Sequence, residues 1–421
     1  MRHAYRVPAL DRESIRFRSG ATVARTVPQG AKPNKGSTGS VPFPIASLRR
    51  IRQAFDTGNL APGQSVAAIE IPAAGGFLRF IEMAFTGITS ANAATVVFQP
   101  DAPACGLSFI EFLPPSGDPP IVPHNGYQLF LWNKYGVFSQ TPPYADPRRD
   151  PQYSYTPGAG ATGGSWSITL RLPMEIDPAS GFCAITNSAA NKSYLLNLTM
   201  ATSANIYTTA PTSAPAMRVV GWMYYWDEPA SSTRQGTQQD SGPLGLGSFS
   251  QLRIDQPPVT AGDKYLKMNN AGPVLRMAIF TLRSSTAQRN NVSAADIPAQ
   301  WDFVFNTRDR WLLSDTQLQS DMAEQFGYQI PFGTSANTNQ AGVLDAAGYL
   351  DQSVRVLPYF MTEPVSEGST GPRAQYQVTA DATLTQMRGT SFGASVSTLE
   401  ILTNLIRPAS AAALYPPGRI T

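Results

Sequence analysis

From about residue 64 onward the apolar positions fall in short runs rich in Val, Ile, Phe, Tyr and Thr. Clusters of Pro, Gly, Asn and Asp cut them apart, and this alternation over a few residues between turn signals predicts β-strands. The runs predict strands near 65–71, 76–88, 94–98, 106–113, 165–175, 193–200 and 217–226. A second series is predicted near 251–255, 273–283, 300–306, 353–361, 374–379 and 395–407. Three segments carry a helical period instead. Ser314 stands in N-cap position with Gln317 three residues on, and Leu318, Met322 and Phe326 form a stripe that Gly327 closes. Residues 127–135, followed by Gly136, predict a second helix. A third, short one is predicted over 48–55 after Ser47, with Leu48, Ile51 and Phe55 on one side and Arg49, Arg50 and Arg52 fanned over the other. Ahead of it the first 46 residues read as irregular, apart from 14–18, which fits a short strand or a helical turn.

The elements recur in order. Phe77-Leu78-Arg79 matches Val274-Leu275-Arg276 at an offset of 197, and Phe109 answers Phe303 at 194. The stretch from Gln128 to Gly136 lies against Gln319 to Gly327 at 191, Leu172-Pro173 against Leu357-Pro358 at 185, and Tyr194 against Tyr376 at 182. The closing runs 219–226 and 398–406 continue the trend at roughly 180. One pair of this kind means little, but the ordered series predicts two copies of one β domain of about 150 to 170 residues. Eight or so short antiparallel strands with long Pro/Gly-rich loops are most economically a jelly roll. An immunoglobulin-like sandwich is the alternative, and its usual length of about 100 residues argues against it. The predicted fold is therefore all-β: a basic N-terminal arm with a short helix (1–57), a first jelly roll (58–228), a linker (229–250), a second jelly roll (251–408) and a C-terminal tail (409–421).

Charge divides the chain unevenly. The net charge is +3, yet residues 1–52 hold nine Arg and two Lys against Asp11 and Glu13, which makes that segment +9 and the remainder −6. A basic arm on a mildly acidic body suits nucleic acid or a phospholipid surface, and it equally suits a solvated tail. Only 14% of residues are charged, well under the usual quarter, which fits broad faces that pack without burying unpaired charge. With Cys105, Cys183, His3 and His124 the only cysteines and histidines, zinc, haem and iron–sulfur sites lack ligands and no cofactor is expected. The cysteines read as small buried hydrophobes in strand-like surroundings, and His124, beside the Asn125-Gly126 turn signal, as a loop histidine. The Gly-rich stretch 157–164 has no Lys-Ser/Thr and reads as a loop, not a phosphate cradle. No run approaches the ~18 apolar residues of a membrane span, and no apolar leader follows the N-terminus, so a soluble chain made inside a cell is expected.

At this point the residues resemble a family. Gly76-Phe77-Leu78-Arg79-Phe80-Ile81 through Thr89, then Phe109-Ile110-Glu111-Phe112 and Gly126-Tyr127-Gln128-Leu129-Phe130, are similar in order and spacing to the opening barrel of the double jelly-roll major capsid proteins of tectiviruses and their relatives, tailless phages with a membrane beneath the shell. Residues 164–170 resemble later strands of that barrel, and 275–280 the start of the second. The resemblance covers roughly 47–408 and rests on strand and loop pattern, without an invariant motif. It implies a structural, non-enzymatic protein in the virion shell, made in the host cytoplasm. Three copies would place six barrels in a pseudo-hexagonal capsomer that adjoins neighbouring capsomers and other coat proteins. It also implies an arm near an internal membrane, contacted through Arg12, Arg16, Arg18, Arg25, Arg49, Arg50 and Arg52. Phospholipid headgroups attract such residues by about 1 kcal/mol each. Direct nucleic-acid binding is the less favoured role, because no base-reading motif is present and only Phe17 interleaves the arm's arginines.

Two other features bear on function. Alternation puts Trp222, Tyr224 and Trp226 on one sheet face and Met223 and Tyr225 on the other. That pattern suits barrel core plus ordinary surface, or an intersubunit contact through one face, better than a carbohydrate platform. The competing function is a carbohydrate-binding or carboxylate-dependent glycan-processing protein on tandem jelly rolls, with Asp101, Glu111, Glu175 and Asp177 as nameable acids. Asp227 and Glu228 are adjacent on a strand, point to opposite faces, and cannot flank one bond.

Overall fold

The computed structural model describes residues 43, 47–89, 95–115, 122–136, 153–156, 164–176, 181–187, 193–228, 243, 248–268, 274–287, 289, 294–305, 308–328, 350–351, 353–358, 377–378 and 385–408. All of these lie in one compact unit, Pro42–Ala230 with Ser241–Thr421. Arg12, Arg16, Arg18, Arg25, the 14–18 segment, the tail 409–421, most of the linker and the loop 157–163 lie outside the described residues, as do Asp177 and Tyr376.

The first half builds two antiparallel sheets. The larger runs in the order β1 (Arg49–Asp56), β12 (Ala216–Asp227), β3 (Gly76–Ile88), β8 (Ser165–Pro173) and β7 (Tyr153–Thr156), with β9 (Ile185–Thr186) also on β3. The smaller runs β2 (Ser65–Ile71), β10 (Tyr194–Met200), β5 (Leu107–Leu113) and β6 (Val122–His124), and a two-stranded ribbon joins β4 (Val97–Phe98) to β11 (Tyr207–Thr209). The second half repeats the scheme. Its larger sheet runs β13 (Ser248–Asp255), β21 (Thr398–Pro408), β15 (Val274–Arg283) and β18 (Val354–Pro358), with β19 (Gln377–Val378) on β15. Its smaller sheet runs β14 (Gly262–Lys267), β20 (Thr385–Phe392), β16 (Gln300–Phe305) and β17 (Arg308–Ser314). In both halves the first, third and last long strands share one sheet and the second and fourth share the other, the interleaving of two facing Greek keys that defines a jelly roll.

Side-chain alternation drives this pairing. Along β3, Ile81, Met83 and Phe85 are buried while Glu82, Ala84 and Thr86 are only partly so, and β10 alternates as cleanly. One continuous apolar core runs through both barrels. Two of the three predicted helices form, directly after β6 in the first barrel and directly after β17 in the second. In α1 (Gly126–Tyr135), Asn125 and Gln128 make a reciprocal capping box, and in α2 (Asp315–Phe326) Ser314 and Gln317 do the same. Gly327 then closes α2 in the left-handed conformation, φ 68°, where a Cβ is disfavoured.

The register confirms the internal repeat and corrects parts of it. Phe80 pairs with Pro173 and Met277 with Pro358, so offsets of 197 and 185 describe equivalent neighbours. Both copies carry a β-bulge at the same place, Arg79 and Arg276 being the extra residues opposite β12 and β21. Phe109, however, is exposed whereas Phe303 is buried. Phe303 pairs with Met387 and Phe112 with Leu196, which makes Phe112 its counterpart. An odd slip of three residues had moved the match to the wrong face. Tyr194 opens β10, whose counterpart is β20; its expected match, Tyr376, lies outside the described residues.

The expected helix over 48–55 is a strand. β1 runs antiparallel to β12 from Arg49 opposite Trp226 to Asp56 opposite Val220, with a bulge between Gln53 and Phe55. The bulge splits the apparent helical stripe: Leu48 and Ile51 face solvent at 63% and 62% exposure, while Phe55 packs on the core. Two isolated helical turns are marginal in water, whereas the edge of β12 pairs the backbone groups of this segment that face it. Gly221 opposite Phe55 is what lets the ring lie across the sheet, since a Cβ there would collide with it. The first strand of the larger sheet is thus Arg49–Asp56 in the first half and Ser248–Asp255 in the second.

Candidate functional site

Of the seven arginines expected at an inner partner, three are described, and they stand on the β1 edge of the first barrel. Arg50 Nε bonds Asp227 Oδ2 at 2.8 Å, and Arg49 lies 4.7 Å over the Trp226 ring. Arg52 is exposed on the same strand. Nearby, Arg218 pairs with Asp56, whose carboxyl is held down at about 2 by that guanidinium and the Gly58 N–H. Trp226 itself is sandwiched, with Arg79 4.8 Å from its ring and Phe43 packed edge-on at 5.6 Å. The indole N–H donates to Glu175 Oε1 at 2.6 Å, and Arg79 Nε donates to Glu175 Oε2 at 2.7 Å. Burial pushes the Glu175 carboxyl above its usual range, against the pull of Arg79.

The described acids named for a glycosidase do not face one another across a cleft. Glu175 is tied to Arg79 and Trp226, Glu111 accepts from Asn197 Nδ2 at 2.8 Å on a sheet surface, and Asp101 is fixed between two arginines. His124 closes β6 as a buried strand residue, not in the loop expected from its turn-forming neighbours. Cys105 sits in a 3-10 turn (Ala104–Gly106) rather than a strand, with its thiol pushed up by burial, and Cys183 is buried. Among the described residues no three or more His, Cys, Asp or Glu side chains gather as metal ligands, and no helix is long and apolar enough to cross a membrane.

Among the described residues a buried polar constellation lies where the first barrel meets the second, at the two ends of α1. At its C-terminal end Lys134 Nζ reaches Asp351 Oδ2 at 3.0 Å, and neither side chain has any exposed surface. Tyr135 donates its hydroxyl to the same carboxylate at 2.5 Å and accepts from the Asp351 N–H at 3.0 Å. Burial, then the Asp351 charge, drives the Tyr135 pKa well up. Tyr328 places its ring 4.8 Å from the Lys134 ammonium. One residue further, Arg276 donates to the Gly136 carbonyl at 2.7 Å and to Asn404 Oδ1 at 3.1 Å. At the N-terminal end Asp101 accepts from Arg283 and from Arg289, each at 2.8 Å. Burial opposes its charge, but the two guanidiniums hold the carboxyl below its ordinary range. Both also lie over the Tyr127 ring, at 5.4 and 5.3 Å.

Beside this cluster a cleft of about 420 Å³ opens between the barrels, lined by Gln99, Asp101, Asn205, Gln256, Arg283 and Glu400 among others. Its Arg283 is shared by Asp101 and Glu400, the latter at 3.3 Å, so the charges here join the two halves. The repeat marked Arg79 and Arg276. Lys134, Arg283, Arg289 and Asp351 carried no local signal, because their partners stand far off in sequence.

Two jelly rolls in tandem, each with a capped helix in the same loop and joined by one core, define the double jelly-roll class of protein. Solved structures bear this out. The STIV MCP is similar at TM-score 0.55 and 12% identity, covering 85% of this chain and 96% of that one. VP54 of PBCV-1 gives 0.56 at 12%, covering 86% and 93%, and the Faustovirus major capsid protein 0.52 at 9%, covering 88% and 91%. No family model matches the chain, and no curated protein matches it. The chain thus has the double jelly-roll fold of viral major capsid proteins.

Proposed function

We propose that this chain is a structural, non-catalytic major capsid protein. The observation that carries the reading is the pair of equivalent barrels joined through one core, a fold it shares with capsid proteins over most of its length. In this reading three copies form a pseudo-hexagonal capsomer of an icosahedral shell, beside neighbouring capsomers and other coat proteins. The specific setting is a tectivirus-like phage particle with an internal membrane, the chain being made in the host cytoplasm. Arg49 and Arg50 are engaged on the first barrel, so the inward contact falls chiefly to Arg12, Arg16, Arg18 and Arg25. At about 1 kcal/mol each, four such residues suffice for reversible attachment to an anionic bilayer.

Native mass measurement and negative-stain imaging of the purified full chain test this directly. A trimer with a hexagonal outline is expected, and a stable monomer at high concentration refutes it. Co-sedimentation with phosphatidylserine vesicles, lost on removing residues 1–46, is the expected behaviour of the arm. Binding to DNA with a steep salt dependence and none to vesicles would assign it to the genome instead.

A further inference from the structure

The cleft between the barrels lies at the end of the fold opposite the arm. The arm joins the first barrel where β12 finishes: the Asp227 N–H donates to the Leu48 carbonyl, and Asp227 stands opposite Gly76 of β3. From there β3 runs to Ile88, opposite Ala216, a length of roughly 40 Å at about 3.3 Å per residue. At that distal end Trp166 of β8 pairs with Gly87, and the Tyr207 hydroxyl donates to the Gly164 carbonyl just ahead of β8. Gln99 is held there too, its N–H donating to the Ile206 carbonyl. The second barrel brings its own strand end, Arg283 opposite Thr398, and the space of about 420 Å³ opens between them.

Charges in this cleft already face one another. Asp101 is bonded by Arg283 and Arg289, and Glu400 by Arg283, so two acids stand against two guanidiniums. A charged ligand would find no free counter-ion there, and a desolvated ion without one is strongly disfavoured. Hydrogen-bonding capacity is what remains. Arg283 directs Nε to Glu400 and Nη1 to Asp101 and the Ala287 carbonyl, which leaves Nη2 without a partner among the described residues. The side-chain amide of exposed Asn205 has none among them either. On the acceptor side, Glu400 is 2% exposed and its Oε1 has no partner, while Gln256 engages only its Nε2, on Glu400 Oε2.

Open donors and open acceptors thus stand side by side on neutral ground. A buried carboxylate oxygen left without a donor is destabilising until one reaches it, and a bare guanidinium edge calls for an acceptor. A hydroxyl group supplies both, since it gives one hydrogen bond and accepts others. Neighbouring hydroxyls on a ring can therefore answer the Glu400 and Gln256 oxygens and the Arg283 and Asn205 N–H groups together.

We infer that the cleft binds a neutral saccharide of one or two rings, held by hydrogen bonds to Arg283, Glu400, Asn205 and Gln256. Its volume falls within the ~300–1,000 Å³ usual for small-molecule sites. Both cleft acids are bonded to the same guanidinium, which leaves neither free as the proton donor that glycoside cleavage requires, so the site binds without hydrolysing. No aromatic ring lines it, so a single site holds its sugar modestly. The inference rests on the capsid reading only for the direction of the cleft. With the arm inward, this end points out of the shell, where many copies would meet a glycan-coated surface at once and gain avidity from their number.

The test records saturation-transfer NMR of the full chain with lactose, maltose, cellobiose and chitobiose, and with glucuronate and spermidine as charged counterparts. Ala204→Trp fills the cleft from an exposed position, and Asn205→Ala removes one unpartnered amide. Both variants should keep the circular dichroism and oligomeric state of wild type. Wild type should show transfer to at least one of the four neutral sugars, and Ala204→Trp should abolish it. Asn205→Ala should weaken binding about threefold to tenfold, the loss of one hydrogen bond. No transfer to any of the four, transfer that survives Ala204→Trp, or uptake of glucuronate or spermidine in their place overturns the assignment. A trimer that ignores the sugars leaves the capsid reading standing, whereas a monomer that binds them keeps the site and removes its place on a shell.

Discussion

The Lys134–Asp351 pair fixes how the two barrels meet, and its removal tests that role. Neither side chain is exposed, and their charged atoms are 3.0 Å apart, so each charge is solvated only by the protein. Replacing Asp351 by Asn preserves an acceptor for the Tyr135 hydroxyl but removes the negative charge 3.0 Å from the Lys134 ammonium. Lys134→Met strands the carboxylate in the same way. Breaking a buried pair from one side costs about 3–5 kcal/mol, whereas neutralising both partners together is often close to neutral. The expected pattern is therefore non-additive. Either single variant should lose about 3–5 kcal/mol in urea unfolding, and the double variant should recover most of it, leaving a coupling energy of at least about 2 kcal/mol. The assay compares unfolding midpoints under a common slope and follows tryptophan fluorescence, because a two-barrel chain need not unfold in one step. Single variants within about 1 kcal/mol of wild type, or a double variant that loses the sum of the two, would refute the claim that the charges see each other in a dry junction.

Two further outcomes follow from the same geometry. Arg283 and Arg289 hold the Asp101 carboxyl below its unfolded value despite its burial, so its stabilisation is complete at neutral pH and disappears as pH falls through that lowered pKa. Asp101→Asn should thus be clearly less stable than wild type at pH 7, with the gap closing in strong acid; a gap that stays constant in a pH series of thermal melts would count against the ion pair. Gly126 opens α1 where a Cβ would run into the Ala104 carbonyl oxygen, and backbone has no rotamer with which to yield. Gly126→Ala should cost about 1–3 kcal/mol or more, and an unchanged melting temperature would show that the turn has room to shift.

How much of this was legible depended on what each segment buries. Strands with one face on the core and one toward solvent were read to the residue, as with 65–71 and 76–88. The strand at Arg49–Asp56 was misread because its bulge let Ile51 and Phe55 mimic a helical stripe while pointing to opposite faces. β14, with the sequence GDKYLK, and β20, with TQMRGTSF, went unseen because sheets with a wet outer face draw on polar residues and Gly. α2 was visible through its capping box, which is local, whereas α1 was visible only through the Gly136 that follows it, Asn125 being read as part of a turn rather than as the N-cap it is. The junction was not, since Tyr135 and Asp351 are 216 residues apart and nothing near either one announces the other. Only Arg79 and Arg276 stood out, through the repeated Leu-Arg pair.

Those two arginines show how one duplicated feature acquires two roles. A bulge inserts each of them as an extra residue in the third strand of its barrel, which turns a long cation onto the outer sheet face. A buried guanidinium must spend its donors on acceptors close by. In the first barrel Glu175, from the segment just after β8, supplies them, and Arg79 locks Trp226 into its own barrel. In the second barrel the acceptors are Asn404 beside it and the carbonyl that ends α1 of the other barrel. The same side chain at the same bulge thus closes one barrel on itself and fastens the other to its neighbour. The difference lies in what each arginine finds beside it: a carboxylate of its own barrel for Arg79, and the end of the other barrel's helix for Arg276.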